Sequence, residues 1–238
     1  HVMVEKVMGC VEITNNWLSE EQAQHIIKTI GDADREPNCH AKYKKADIGK
    51  NEDGGTYRSN YLMPITSNAH VDDSSPEYRT ALKEGTVNHI ENLRKIHELI
   101  AEKMRASVMD YIERYEFPIG FDEGYTILKY QSGQEYKAHC DYAPHLPRYL
   151  SALVLLNPTE YEGGGTYFTH FDVNVKPETP SLVLFPSNYA YTHTALPVVS
   201  GTKYAIVTWL GHEIDFDGIP PMWLPNGENK YFNRAEFK

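Results

Sequence analysis

The chain has 238 residues, 41% of them hydrophobic and 24% charged, with a formal net charge of −10. That suits one large globular domain, or a domain with an extension, with its own core. No run approaches the roughly 18 apolar residues of a membrane span. The acidic balance argues against a nucleic-acid or anionic-membrane partner, because both reward basic patches.

Three widely spaced cysteines, Cys10, Cys39 and Cys140, make neither a disulfide framework nor a zinc-type pair. The opening "HVMVEKVMGC" lacks the pattern of a signal peptide, so a cytoplasmic setting is expected. Taken in chain order, Ser19-Glu20-Glu21-Gln22 has the form of a capping box and opens a helix through Ile26, Ile27 and Ile30, with Gly31 as its expected end. From Arg35 to Ser75 the polar composition predicts loops around one or two short strands, and the basic stretch His40–Lys50 reads as a solvated loop. Between Asn92 and Tyr115, apolar residues recur at three- and four-residue steps, from Leu93 and Ile96 to Ile112, which predicts a long amphipathic helix.

After Pro118 the texture becomes that of short strands. The predicted runs are Tyr125–Tyr130, Tyr136–Asp141, Tyr149–Leu156, Gly165–Phe168, Phe171–Val175, Ser181–Phe185, Tyr191–Ala195 and Lys203–Trp209, separated by Gly, Pro, Asn and Asp. The fold class expected is α+β, mostly β: a sandwich or a double-stranded β-helix (jelly roll), with N-terminal helices packed on one sheet. The chain is read as a single domain, with a helical and loop support region to about residue 118, a jelly-roll core at about 119–211 and a tail at 212–238.

Two histidine–aspartate pairs are candidates for metal ligation: His139 with Asp141, and His170 with Asp172. On a strand, residues two apart share a face, as two ligands of one metal must. Two histidines and a carboxylate on one face of an iron-type site leave open positions for substrate and oxygen, and His193 is the third donor for either pair. Strand order separates them. In a jelly roll, the ligand-bearing strands lie side by side with four others intervening in sequence. Four predicted strands separate Asp141 from His193, whereas Asp172 leaves room for little more than one. His139, Asp141 and His193 are therefore the expected set. Cys140 points the other way as a packing residue. Lys203, ten residues after His193, begins an apolar strand; on spacing alone it either sets an ammonium at the base of a pocket or is a solvated lysine after the Ser200-Gly201 turn.

The segments "LKYQSGQEYKAHCDY", "LSALVLLN", "EGGGTYF", "PSLVLFPS" and "THTALPVVSGTKYAIVTWL", in this order and spacing, resemble the iron(II)/2-oxoglutarate dioxygenases, and within them the prolyl 4-hydroxylase-like branch. The resemblance implies that His139, Asp141 and His193 hold Fe(II), and that Lys203 binds the far carboxylate of the cosubstrate 2-oxoglutarate. Tyr130 then lines the cosubstrate pocket, and Arg58 (in "GGTYRSNYL"), Tyr142 and Trp209 face the substrate. O2 is the oxidant and ascorbate a helpful reductant. A mobile loop over the substrate is implied at Ser67–Pro76. A lysine at position 203, where oxygen-sensing relatives carry arginine, favours the collagen-type and plant- or microbe-type branch. The implied partner is a peptide or protein substrate, proline-rich, whose prolyl residue is hydroxylated. The alternatives are a hydroxylase of a free amino acid, a lysyl residue or another small molecule, and a non-catalytic jelly-roll binding module.

Overall fold

The computed structural model describes residues 3–46, 56–117, 119, 122–144 and 147–211. The expected tail at 212–238, Gly54-Gly55 and the end of the basic stretch at 47–50 lie outside the described residues. In chain order the elements are β1 (Val4–Met8), β2 (Val11–Thr14), α1 (Glu20–Arg35), β3 (Lys44–Lys45), β4 (Tyr61–Pro64), α2 (Thr66–Ala69), α3 (Pro76–Glu84) and α4 (Val87–Tyr115). The second half holds β5 (Thr126–Tyr130), β6 (Tyr136–His139), β7 (Arg148–Leu155), β8 (Tyr161–Gly163), β9 (Thr166–Phe168), β10 (Val173–Val175), β11 (Ser181–Pro186), β12 (His193–Ala195), β13 (Val198–Gly201) and β14 (Lys203–Gly211).

An eight-stranded sheet runs β1-β2-β11-β7-β14-β5-β4-β3, and a four-stranded sheet β10-β9-β12-β6 faces it. Side chains on a strand alternate between faces, and this sorts the core into two layers. Leu150, Ala152 and Val154 of β7, Leu182 and Leu184 of β11, and Ile206 and Leu210 of β14 meet Ile26 and Ile30 of α1 and Leu93, Ile100, Met104 and Val108 of α4. The intervening positions, Leu155, Val183, Phe185 and Ala205, turn inward to Phe168 and Val175 of the smaller sheet. Fully burying one such aliphatic side chain contributes about 1.5–3 kcal/mol. The helices thus cover one face of the large sheet, and the site opens on the other.

The capping box at Ser19 forms as expected: Gln22 N–H donates to Ser19 Oγ at 3.0 Å, and Ser19 N–H donates to the Gln22 side chain at 3.0 Å. The helix does not stop at Gly31 but continues to Arg35, because Ala33 is buried and Asp32 pairs with both Lys28 and Arg35. A whole helix, α3, stands where none was expected, with Ser75 as N-cap, Pro76 in its first turn and Gly85 in the left-handed conformation after its end. The region to residue 118 is more than helical support, since β1 to β4 all join the large sheet.

The segment Ser67–Pro76 contributes no residue to the lining of the site cavity. Its carbonyls at Ala69 and Val71 accept from Arg94 of α4 at 2.8 and 3.3 Å, which ties it to the helical layer. Among the described residues no helix is long and apolar enough to cross a membrane.

Candidate active site

Strands β12 and β6 are antiparallel neighbours, and their register sets His193 directly opposite His139. The imidazole centroids are 4.4 Å apart. Asp141 follows the end of β6 and turns its carboxylate between them, with Oδ1 3.5 Å from His139 Nε2 and Oδ2 3.9 Å from His193 Nε2. Donor atoms of the three residues lie within 4.8 Å of one another, and no other such group of histidine, cysteine and carboxylate occurs among the described residues.

Each histidine is oriented in the same way. His139 Nδ1 lies 2.8 Å from the Lys137 carbonyl and His193 Nδ1 lies 3.0 Å from the Tyr191 carbonyl. A carbonyl only accepts, so Nδ1 carries the proton in both rings and Nε2 keeps its lone pair for a metal. Burial pushes His193 below its ordinary value, which favours the neutral, ligating form. Burial alone would raise the Asp141 carboxyl. His193, His139 and the Ser151 hydroxyl outweigh that effect and hold it well below the usual carboxylate range. Two imidazoles and one carboxylate are the donor set of a non-haem iron(II) centre, so these residues fit that metal.

Lys203, at the start of β14, lines the same cavity as the three donors, as do Tyr130, Arg58 and Trp209. The lysine is 2% exposed. Its ammonium donates to the Gly164 carbonyl at 2.6 Å and sits 5.1 Å from the centre of the Tyr130 ring. Burial, with Lys176 a lesser influence, brings it down to about 8. Burial likewise pushes the Tyr130 phenol up to about 12. Among the described residues this buried cation has no carboxylate partner, which calls for an anion, and the far carboxylate of 2-oxoglutarate fits it. The glycine run "EGGG" makes this base possible. Gly164 has φ of +64°, and a Cβ there would stand 2.9 Å from the Tyr161 ring.

At the mouth, the Arg58 guanidinium carbon lies 4.6 Å from the centre of the Tyr136 ring, and that ring stacks on His139 at 3.6 Å between centroids. Arg58 is held by its Nε–H, which donates to Asn60 at 2.7 Å. Trp209 carries the guanidinium of Arg148 3.8 Å from its ring centre, and Arg148 pairs with Glu123 through two hydrogen bonds of 2.7 and 2.8 Å.

The structure does not bring every expected residue together. Tyr142 is 47% exposed and does not line the cavity. His170 and Asp172 sit in the turn between β9 and β10, not on a strand. Asp172 has φ of +52° and accepts from the Tyr167 hydroxyl at 2.7 Å, so the pair is part of the turn. Cys140 is half-buried, with its thiol directed to the Tyr142 carbonyl. The sequence reading missed Tyr136, Arg148 and Ser151. Ser151 carried a signal, as the polar residue inside "YLSALVLL" on the face that turns away from the helices.

Residues 125–211 match the family model of the 2OG-Fe(II) oxygenase superfamily. The matched stretch carries His139, Asp141, His193 and Lys203, and its donor set and buried lysine fit the iron and 2-oxoglutarate for which that superfamily is described. Over 191 residues the chain is 26% identical to prolyl 4-hydroxylase 13 of Arabidopsis thaliana, covering 65% of this chain and 69% of that protein. The viral collagen prolyl hydroxylase of Paramecium Bursaria Chlorella virus-1, solved with 2OG, superposes with a TM-score of 0.53 at 17% identity over 86% of this chain and 97% of its own. A prolyl hydroxylase from Trichoplax adhaerens, solved with a hypoxia inducible factor peptide fragment, gives 0.52 at 16% identity over 84% of this chain and 83% of its own. The shared fold is the jelly roll.

Proposed function

We propose that this chain is an iron(II)- and 2-oxoglutarate-dependent dioxygenase that hydroxylates a prolyl residue in a peptide or protein, with a single catalytic domain. The observation that carries the reading is the convergence of His139, Asp141 and His193 in one cavity with the buried ammonium of Lys203. In this reading the two Nε2 atoms and the Asp141 carboxylate hold the metal, and Lys203 pairs with the far carboxylate of 2-oxoglutarate. When bound, iron(II) with 2-oxoglutarate supplies the oxygen activation of this superfamily: one oxygen atom goes to the substrate and the other to succinate, with release of carbon dioxide.

The chain's residues provide placement and dryness. The Lys137 and Tyr191 carbonyls fix the two imidazoles, and Leu128, Leu153, Phe185 and Val207 give the cavity an apolar wall that excludes water. Lys203, at the closed end, orients the cosubstrate by charge. Arg58, Tyr136 and Trp209, which line the cavity, are the contacts for the substrate. An aromatic mouth suits a proline-rich segment, whose polyproline helix is already ordered before it binds. The curated relative and the peptide complex of the Trichoplax protein support a prolyl substrate in a peptide.

The test is succinate formation from 2-oxoglutarate with iron(II) and ascorbate, with and without a proline-rich peptide, with hydroxyproline read by mass spectrometry. Peptide-stimulated succinate with hydroxyproline is the expected result. Succinate that ignores the peptide would redirect the reading to a free amino acid or another small substrate. A folded, metal-loaded protein that makes no succinate would be a binding module.

A further inference from the structure

The Asp141 carboxylate has partners that the proposed chemistry does not use. Its Oδ2 accepts from Ser151 Oγ at 2.5 Å, and Ser151 Oγ lies 2.8 Å from Ser187 Oγ. Both serines are buried, at 2% and 1% exposure. Ser151 comes from β7, and Ser187 follows the end of β11, the strand paired with β7. The Ser187 N–H donates to the Tyr149 carbonyl at 2.9 Å, and its carbonyl accepts from the Tyr142 N–H at 3.0 Å. One residue thus ties the neighbour of Asp141 to the strand that carries Ser151.

Counting protons gives the chain a direction. An ionised carboxylate only accepts, and each hydroxyl has a single proton. Ser151 gives its proton to Asp141, so the contact between the serines must be donated by Ser187. The relay runs from Ser187 to Ser151 to Asp141, each donor polarised by the next.

We infer that Ser151 and Ser187 are positioning residues for the metal carboxylate. Resting on the iron(II) reading above, they hold Oδ2 so that Oδ1, the oxygen nearer His139 Nε2, is the one offered to the metal. Without the Ser151 hydroxyl, the carboxylate loses its anchor and is free to rotate about its last bond. The residues that orient a ligand in this way act on metal affinity without touching the metal.

The test is titration of the full chain with Co(II), followed by absorption and calorimetry, for wild type, Ser151→Val, Ser151→Thr and Ser187→Ala. Valine and threonine have nearly the same shape, so the pair separates the hydroxyl from the space it fills. Ser151→Val is expected to lose about 10- to 100-fold in Co(II) affinity with an altered ligand-field spectrum, while Ser151→Thr stays within about threefold of wild type. Ser187→Ala is expected to fall between them, with an unchanged melting temperature. Equal affinities for the valine and threonine variants would overturn the proposal. If Ser151→Val does not fold, Ser187→Ala decides, and wild-type affinity there would overturn the relay. Failure of the wild type itself to bind Co(II) would instead bring down the metal reading, and the proposal with it.

Discussion

His193 stands directly across the ladder from His139, on strands separated by more than fifty residues of chain. Antiparallel neighbours put opposed residues on the same face of the sheet, so one register brings both imidazoles to one point. A slip by one residue would turn one of them away. Phe168 and Phe185 pack against His193, with ring centroids 5.7 and 5.0 Å away, and Tyr136 stacks on His139, so the register is locked by packing on both strands. The donor geometry is therefore a property of the sheet and is expected to exist before any metal arrives.

Asp141→Asn tests that independence. The amide keeps the shape of the carboxylate and can still accept from Ser151, but it removes the charge. Co(II) affinity is expected to drop by at least about 100-fold, since a charged donor is lost from a three-donor site. The melting temperature is expected to stay near wild type, because the sheet and its packing are untouched. A large fall in thermal stability with metal binding retained would show that Asp141 serves the fold.

Lys203→Met should separate binding from stability in opposite directions. Loss of a charge-assisted contact to 2-oxoglutarate is expected to weaken cosubstrate binding by about 10- to 150-fold. The apo protein, relieved of a buried ammonium with one carbonyl partner, is expected to melt no lower than wild type. Thermal melts with and without 2-oxoglutarate read both effects. A variant that keeps the wild-type 2-oxoglutarate shift would remove Lys203 from the cosubstrate site.

The same lysine predicts a pH dependence. Its folded value of about 8 lies below the ordinary 10.5, so in the free protein the charge is lost as pH rises through about 8. Cosubstrate affinity is expected to fall above that point, approaching tenfold per pH unit. Stability moves the other way. Between about 8 and 10.5 the unfolded chain binds more protons than the folded one, so the stability linked to Lys203 is fully present above 10.5 and lost as pH falls through about 8. Lys203→Arg, which stays charged, should hold its affinity flat across the range. A parallel decline in both proteins would assign the effect to another group.

What was legible in the sequence was what depends on local order. Each of the eight runs after Pro118 overlaps an observed strand, but β8 and β13 were missed, so five strands and not the expected four separate Asp141 from His193. The comparison still favoured His139 and Asp141, because only β10 and β11 lie between Asp172 and His193. What stayed hidden depends on distant partners. The strand β2 contains Glu12, a residue that reads as surface. It is 5% exposed, because Arg114 and Tyr115, a hundred residues away, satisfy its carboxylate. Ser151 stood out as a polar residue in an apolar run, but its partner Asp141 shows only in the fold. Gly31 misled for a related reason: burial of Ala33 outweighs a glycine that locally favours stopping.

Arg114→Ala exposes how much that distant pairing holds. Arg114 donates to both carboxylate oxygens of Glu12 and also pairs with Asp110, while the Tyr115 hydroxyl donates to Glu12 at 2.9 Å. Removing the arginine leaves a buried carboxylate with one donor. Breaking a buried pair costs about 3–5 kcal/mol, and the partial exposure of Arg114 brings the expected loss to about 2 kcal/mol. Urea unfolding measures it. The double variant Glu12→Gln with Arg114→Ala should recover part of the loss, since no buried charge remains. Cosubstrate affinity, set on the opposite face of the large sheet, should not change. No loss in the single variant would mean that water reaches Glu12.

Trp209→Ala separates the mouth of the cavity from its base. The indole and Lys203 lie on the same face of β14, six residues apart, so one strand carries a candidate substrate contact and the candidate cosubstrate anchor. Arg148 depends on the indole for its position, with its guanidinium 3.8 Å from the ring centre and Glu123 as its other partner. Truncation therefore removes an aromatic surface and frees an arginine at the same time. The KM for a proline-rich peptide is expected to rise by about tenfold or more, as for a central aromatic contact, while the KM for 2-oxoglutarate stays as in wild type. Trp209→Phe, which keeps a ring under Arg148, should recover most of the difference. If both KM values rose together, the indole would be holding β14 in place, and the substrate would have to be sought on the Arg58 and Tyr136 side of the mouth.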